Sequence, residues 1–174
     1  MASPRVSTAG MSLQYAVETT AGTRPTTGYT IIPEVKSMPS FNPAPNTIES
    51  TTLLETEYMT YVKGLKDLGG ALEYGANLTD DLIDFWDDLM AAYEAAVAAD
   101  KQMWFCVVHP KLKKALYFVG EPANLSFNEA AVNAMAETTL YITPQSAPVM
   151  EPKPTAASGA SYSAAKKGGQ DVEV

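Results

Sequence analysis

The side chains able to do chemistry in this sequence are few and poorly spaced for it. The single histidine, His109, lies three residues after the single cysteine, Cys106. In a strand, residues three apart point to opposite faces, so the two do not meet as nucleophile and base. A zinc site takes three or four ligands, and this pair supplies two. Asp80, Asp81, Asp84, Asp87 and Asp88 are dense in carboxylate, but they lack the alternate-residue spacing and glycine turn of a calcium loop. A helix displays such residues outward and does not converge them on one ion. The glycines form neither a dinucleotide fingerprint nor a phosphate-cradling loop, and no serine sits in a nucleophile elbow. The expectation is a protein that is not an enzyme and holds no cofactor or metal.

The element that carries those aspartates is the most regular in the chain. Thr79 stands where an N-cap belongs, and its hydroxyl is placed to accept from a free amide of the first turn. Asp80 and Asp81 put negative charge at the positive end of the helix dipole. Leu82, Ile83, Trp86, Leu89, Met90, Tyr93 and Val97 then recur at three- and four-residue steps, an apolar stripe. This predicts one helix over residues 80–99, packing Trp86, Leu89 and Tyr93 on a β core, with Lys101 at its C-terminal end.

Of 174 residues with a net charge of −8, positions 80–100 hold seven acids and no Lys or Arg, so the rest of the chain is near neutral at −1. The acids read as a solvated helix face or as a docking face for a basic partner. No basic stripe is available to grip a nucleic-acid backbone. No run approaches the ~20 apolar residues of a membrane helix, and the first residues lack the pattern of a secretion signal. One cysteine excludes an internal disulfide and fits a reducing compartment.

Around the helix the chain reads as strands. Residues 1–10 form a patternless arm. Met11 to Glu18 alternates as a strand, residues 19–28 form a turn-rich loop, and Tyr29 to Val35 is a strand placed at an edge, or bulged, by Pro33. Residues 37–46 carry three prolines, Pro39, Pro43 and Pro45, which rule out a central strand or helix. Thr47 to Val62 is a long β-prone run whose alternation falters at Leu53-Leu54. Ala71 to Tyr74 is a short strand before the helix. Met103 to His109 and Lys113 to Gly120 are apolar strands of one hairpin. Residues 130–143 are ambiguous at first and strand-like from Thr138. Residues 145–174 read as a tail without a core of its own. The domain is therefore expected over residues 11–144.

Three stretches carry a resemblance: AVETTAGTRPTTGYTIIPEVKSM, NTIESTTLLETEYMTYVKGLKDLGG and EYGANLTDDLIDFWDDLMAAYEAA. With the order of elements, over about residues 16–120, they resemble the tail tube protein (major tail protein) of long-tailed, non-contractile bacteriophages. The resemblance implies a mainly β fold, a β-sandwich or barrel flanked by a single helix, with a long inter-strand loop over about residues 37–66 and extended terminal arms. It implies homo-hexameric rings stacked into a helical tube in the virion tail, assembled in the host bacterial cytoplasm. Tape measure, tail terminator and tip proteins would be partners, and DNA would pass through without specific binding or membrane insertion. A capsid decoration protein, or an injection-system tube component of the same fold, is the competing reading.

On that basis Pro39, Phe41, Pro43, Pro45, Leu54 and Tyr58 become candidates for contact with the next ring. Glu49, Thr51, Leu53, Glu55 and Glu57 would share one face of a regular strand over 47–61. Glu49, Thr51, Glu55 and Glu57 are thus the candidates for facing the lumen, with solvent on the loop as the competing placement. The tail holds too little strand signal for a second, immunoglobulin-like domain.

Overall fold

The computed structural model describes residues 5–41, 45–54, 57–66, 68–128 and 134–155. The described strands are β1 (Ser12–Val17), β2 (Thr30–Ile31), β3 (Val35–Ser37), β4 (Pro45–Glu49), β5 (Tyr61–Lys66), β6 (Leu72–Asn77), β7 (Met103–Val108), β8 (Lys114–Pro122), β9 (Glu137–Pro144) and β10 (Val149–Pro152). One helix, α1 (Asp80–Ala98), is described between β6 and β7.

All but two of the strands join one sheet in the order β2-β1-β7-β8-β9-β6-β3, with β10 laid beside β8; β4 and β5 pair only with each other. The two end strands of that path, β2 and β3, are consecutive in sequence and are joined by Ile32, Pro33 and Glu34. The sheet is therefore curled into a half-barrel whose ends approach each other. The stretch Tyr29 to Val35 is not one strand, as its composition predicts, but a corner. The Ile32 amide still donates to Leu13 on the β1 side, and the Glu34 carbonyl already accepts from Asn77 on the β6 side. Pro33 has no amide to continue a ladder, and Glu34 takes a left-handed φ of 61°. The chain crosses from one sheet end to the other there.

β7 reads as continuous apolar sequence because both its faces are covered. Phe105 joins Leu13, Phe118, Leu140 and Ile142 beneath the helix, while Cys106 packs with Ala115 and Tyr117 on the other side. β8 then serves three neighbours, pairing with β7 and β10 through its first part and with β9 through Gly120 to Pro122. A Cβ at Gly120 would lie 2.7 Å from Ile142 Cγ2 and 3.0 Å from Phe105 Cδ2, so only glycine fits where β8 changes partner.

Helix α1 starts as its sequence demands. The Thr79 hydroxyl accepts from the Leu82 amide at 3.2 Å. Its buried side chains are Leu82, Trp86, Leu89 and Ala96, and Tyr93 packs half-buried against the same core. Positions 82, 86, 89, 93 and 96 keep to one face; Val97 falls off it and is exposed. No basic residue lies in the last turn. The helix ends instead by its backbone. The Lys101 amide donates to Ala96 O and the Asp100 amide to Val97 O, with Asp100 at a φ of 56°. That is a Schellman closure with aspartate in the position glycine usually fills.

Two further expectations are corrected. The run Thr47 to Val62 is not one strand: β4 ends at Glu49 and the chain reverses before β5 begins at Tyr61. Ser50 Oγ, Thr60 and Thr51 Oγ1 bond across the reversal, and such short hydroxyl side chains offer the backbone an alternative to the ladder. The segment after residue 145 is not wholly a tail either. β10 pairs with β8 from Val149↔Tyr117 to Pro152↔Lys114.

Candidate assembly surface

The β4–β5 hairpin stands off the half-barrel as a two-stranded unit. Between Asn46 and Leu65 no described side chain is buried. Yet the segment carries Ile48, Leu53, Leu54, Tyr58, Met59, Tyr61, Val62 and Leu65, all exposed, with Leu54 at 92% and Leu65 at 88%. An isolated two-stranded hairpin is marginal in water. This one is held within the hairpin by the register Thr47↔Lys63, Ile48↔Val62 and Glu49↔Tyr61. Gly64 sits against the Asn46 carbonyl, where a Cβ would come within 3.1 Å, beside the register shift between Pro45 and Thr47. Eight exposed large apolar side chains within one short segment mark a contact site more than scattered exposure does.

The candidates for contact with a neighbouring ring divide. Leu54 and Tyr58 lie exposed on the hairpin's reversal, and Pro45 opens β4. Pro39 is half-buried. Phe41 belongs to its own subunit, its ring stacked on Phe118 at 5.3 Å between centroids and packed on the core beneath the helix. Pro43 lies outside the described residues. Of the acids, Glu49 ends β4, Glu57 is exposed on the reversal and Glu55 lies outside the described residues. Thr51 is half-buried and accepts from the Thr60 amide. Because the strand over 47–61 is not regular, these residues do not share one strand face. Of the two arms, residues 1–4 and 156–174 also lie outside the described residues.

Helix α1 displays Asp80, Asp81, Asp84, Asp87, Asp88 and Glu94 on its exposed side. Cys106 is fully buried, and burial pushes its thiol up to about 12, against smaller opposing effects of Tyr117 and Arg24. A thiol held so far above neutrality is unreactive. His109 is buried at the end of β7; its Nε2 lies 2.6 Å from the Ser7 carbonyl and its Nδ1 accepts from the Lys111 amide. The second bond makes Nδ1 the acceptor, so Nε2 carries the hydrogen and ties the N-terminal arm to the β7–β8 turn.

Two polar assemblies have no signal in the sequence because their partners are distant in it. Glu18 is 2% exposed. Its Oε2 accepts from the Gly22 and Gln102 amides at 2.9 and 3.1 Å, and its Oε1 from Trp104 Nε1 at 2.9 Å. These bonds pin the loop after β1 to the entrance of β7. On the same side Arg24 lies over the Tyr117 ring at 4.2 Å and ion-pairs with Glu151, while the Tyr117 hydroxyl donates to Pro152 O at 2.7 Å. Together they clasp β10 onto the sheet.

Burial raises the Glu18 carboxyl, but the three donated hydrogen bonds and the nearby Lys101 charge outweigh it, and the group ends below its ordinary value of 4.5. A depressed folded-state value means stability that is complete above the ordinary carboxylate range and is lost as pH falls through the folded value. Glu18→Gln keeps one acceptor oxygen and turns an NH2 toward donors. It is expected to cost about 1–3 kcal/mol at pH 7 and to shrink the difference in stability between pH 7 and pH 3. Urea denaturation of both proteins at the two pH values measures this; an unchanged pH dependence would remove Glu18 as its source.

A groove of about 710 Å³ lies at the seam between β2 and β3, with Met11 and residues 153–155 also along its lining. Ile31, Pro33, Val35 and Phe85 line it, over the buried Leu13 and Ile32.

No protein-family model matches the sequence, and none of the curated proteins does. Solved structures do share the fold. A chain of the anti-feeding prophage (AFP) baseplate, a 6-fold symmetrised cryo-EM structure, superposes with a TM-score of 0.60 at 9% identity, covering 87% of this chain and 98% of its own. A chain from the tail of an empty GTA particle, determined with helical refinement in C6 symmetry, gives 0.52 at 13% identity over 81% and 95%. The curled β half-barrel with its flanking helix α1 is thus the fold of chains found in phage-like tail particles, a tail tube type fold.

Proposed function

We propose that this protein is a structural subunit of a phage tail tube, acting by assembly and not by catalysis. Copies of the chain would close into hexameric rings, and the rings would stack into the conduit of a long, non-contractile virion tail through which the genome leaves. The observation that carries this is the β4–β5 hairpin, an apolar surface left exposed among the described residues, standing on a fold otherwise met in tail particles of 6-fold and C6 symmetry. Two-residue β2 and three-residue β3 add short sheet edges, which a ring can pair with its neighbours. The acidic net charge suits a conduit, since basic contacts would retard a passing phosphate backbone. Assembly in the bacterial cytoplasm, and contacts with tape measure, terminator and tip proteins at the tube's interior and ends, follow from the same reading.

The baseplate likeness also favours a second reading, a tube component of an injection system. Negative-stain microscopy of the purified protein tests the first. Hollow tubes or six-fold rings are expected, whereas dispersed monomers at high concentration would overturn it. Tubes recovered with DNA-containing particles separate a genome conduit from an injection device, which would carry protein instead.

A further inference from the structure

We infer that His109 is a proton-sensitive latch on the N-terminal arm, closed while the imidazole is neutral and opened when the ring takes up a second proton. Every contact of the latch lies within one copy of the chain.

The latch follows from the two groups that the ring meets. Ser7 presents a backbone carbonyl, 2.6 Å from Nε2, which can only accept. Lys111 presents a backbone amide, 3.1 Å from Nδ1, which can only donate. One donor and one acceptor are the inventory of a neutral imidazole. The arm touches the turn a second time. Gly10, at a φ of 82°, lies so close to Pro110 that a Cβ there would come within 3.1 Å of the ring's Cγ. Between these two points the Met11 amide donates to Thr8 O and folds the arm back over the β7–β8 turn.

A second proton breaks the match. Imidazolium carries hydrogens on both nitrogens, so two N–H groups face each other where Nδ1 meets Lys111. The bond to Ser7 gains strength with the charge, but the ring is rigid. Turning Nδ1 away from the Lys111 amide also withdraws Nε2 from the Ser7 carbonyl.

The surroundings offer the cation nothing in exchange. His109 is 5% exposed, and a buried charge without a counter-charge is costly. The arm brings Arg5, and the turn and the start of β8 bring Lys111, Lys113 and Lys114. The segment after β10 brings Lys153, whose Nζ donates to Pro110 O at 2.7 Å. β1, which pairs Ser12 with Val108, brings no charge. Residues 1–17 and 101–120 contain no Asp or Glu, and Glu151 on β10 is already ion-paired with Arg24. Tyr29, which with Val108 borders the Cys106 cluster, keeps its proton, because burial pushes its hydroxyl up to about 12. Every charged group that these elements bring to the turn, apart from the paired Glu151, thus repels a protonated ring, and acid is the direction that opens the latch.

Hydrogen exchange of the unsubstituted full chain at about pH 7 and about pH 5.5, corrected for the intrinsic pH dependence of exchange, tests this. His109 is the only histidine, and histidine is the side chain that ordinarily gains a proton in this window. The Met11 amide reports the arm and the Lys111 amide reports the ring. One proton shifts an opening equilibrium by at most about tenfold per pH unit. Protection of both amides is therefore expected to fall several-fold to about thirtyfold at the lower pH, while the paired amides of β7 and β8 keep theirs. His109→Gln retains a donor and an acceptor but has no proton to gain, and its arm is expected to exchange alike at the two pH values. Unchanged protection of Met11 in the unsubstituted protein overturns the latch, whether or not the variant folds. So does a fall of the same size in His109→Gln.

Discussion

Trp86→Ala is expected to destabilise the protein by about 3–5 kcal/mol, the usual cost of emptying a large aromatic site in a packed core. The indole is 1% exposed. It belongs to the one cluster that unites α1 with β1, β6, β7, β8 and β9. Its Nε1–H also donates to the Ala123 carbonyl at 2.9 Å, so the side chain fixes the chain just past β8 as well as the helix. Leu82 and Leu89, a turn to either side and fully buried, hold the helix in place around the cavity and limit its collapse. For a chain of this length, 1 kcal/mol moves the melting temperature by about 2–4 °C, so a loss on the order of 10 °C is readable by circular dichroism. Trp86→Phe separates the two contributions: it restores most of the volume but leaves the Ala123 carbonyl without this donor. A melt unchanged in Trp86→Ala would mean that the apolar stripe of α1 does not carry the core.

The helix was legible in the sequence because its determinants are local. A capping threonine, two acids and an apolar repeat lie within one contiguous stretch, and only the phase of the last turn escaped, where Ala96 and not Val97 faces inward. The β7–β8 hairpin was legible for a related reason: strands covered on both faces advertise themselves as unbroken apolar runs. What the sequence concealed depends on partners far along the chain. Tyr29 to Val35 looks like one strand because every residue but Pro33 and Glu34 suits one, and the corner is set by β1 and β6, which claim its two halves. β10 hides in a Pro- and Ser-rich stretch because its pairing comes from β8 and its anchorage from Arg24, a separation of 127 residues. Glu18 ends a strand pattern without distinction, and its role is created by Trp104, 86 residues on. The assembly surface was half legible. The proline-rich approach and the faltering alternation at Leu53-Leu54 marked an odd segment, but the same composition read as one long strand, and that placed the acids on a face they do not share.

The hairpin variants carry the largest functional effect. Leu53→Ser, Leu54→Ser and Tyr58→Ser, made together, remove three exposed side chains that belong to neither core cluster among the described residues. Exposed positions of this kind usually change stability by no more than about 0.5 kcal/mol each, so the melt of the monomer should scarcely move. Assembly should fail. If each side chain is buried against another copy, its loss costs about 1.5–3 kcal/mol, and three of them weaken association on the order of 10³-fold or more. Sedimentation of the wild type and the triple variant at matched concentrations reads this as the disappearance of the assembled fraction. Deleting residues 39–46 would answer less. It removes Phe41 with its stacking on Phe118, and a folding defect would then imitate an assembly defect. The serine variants avoid that confusion because the hairpin's apolar surface and the subunit's core are separate populations of residues. A triple variant that sediments as assembled material at the wild-type concentration would show that the bare hairpin is not what joins the copies.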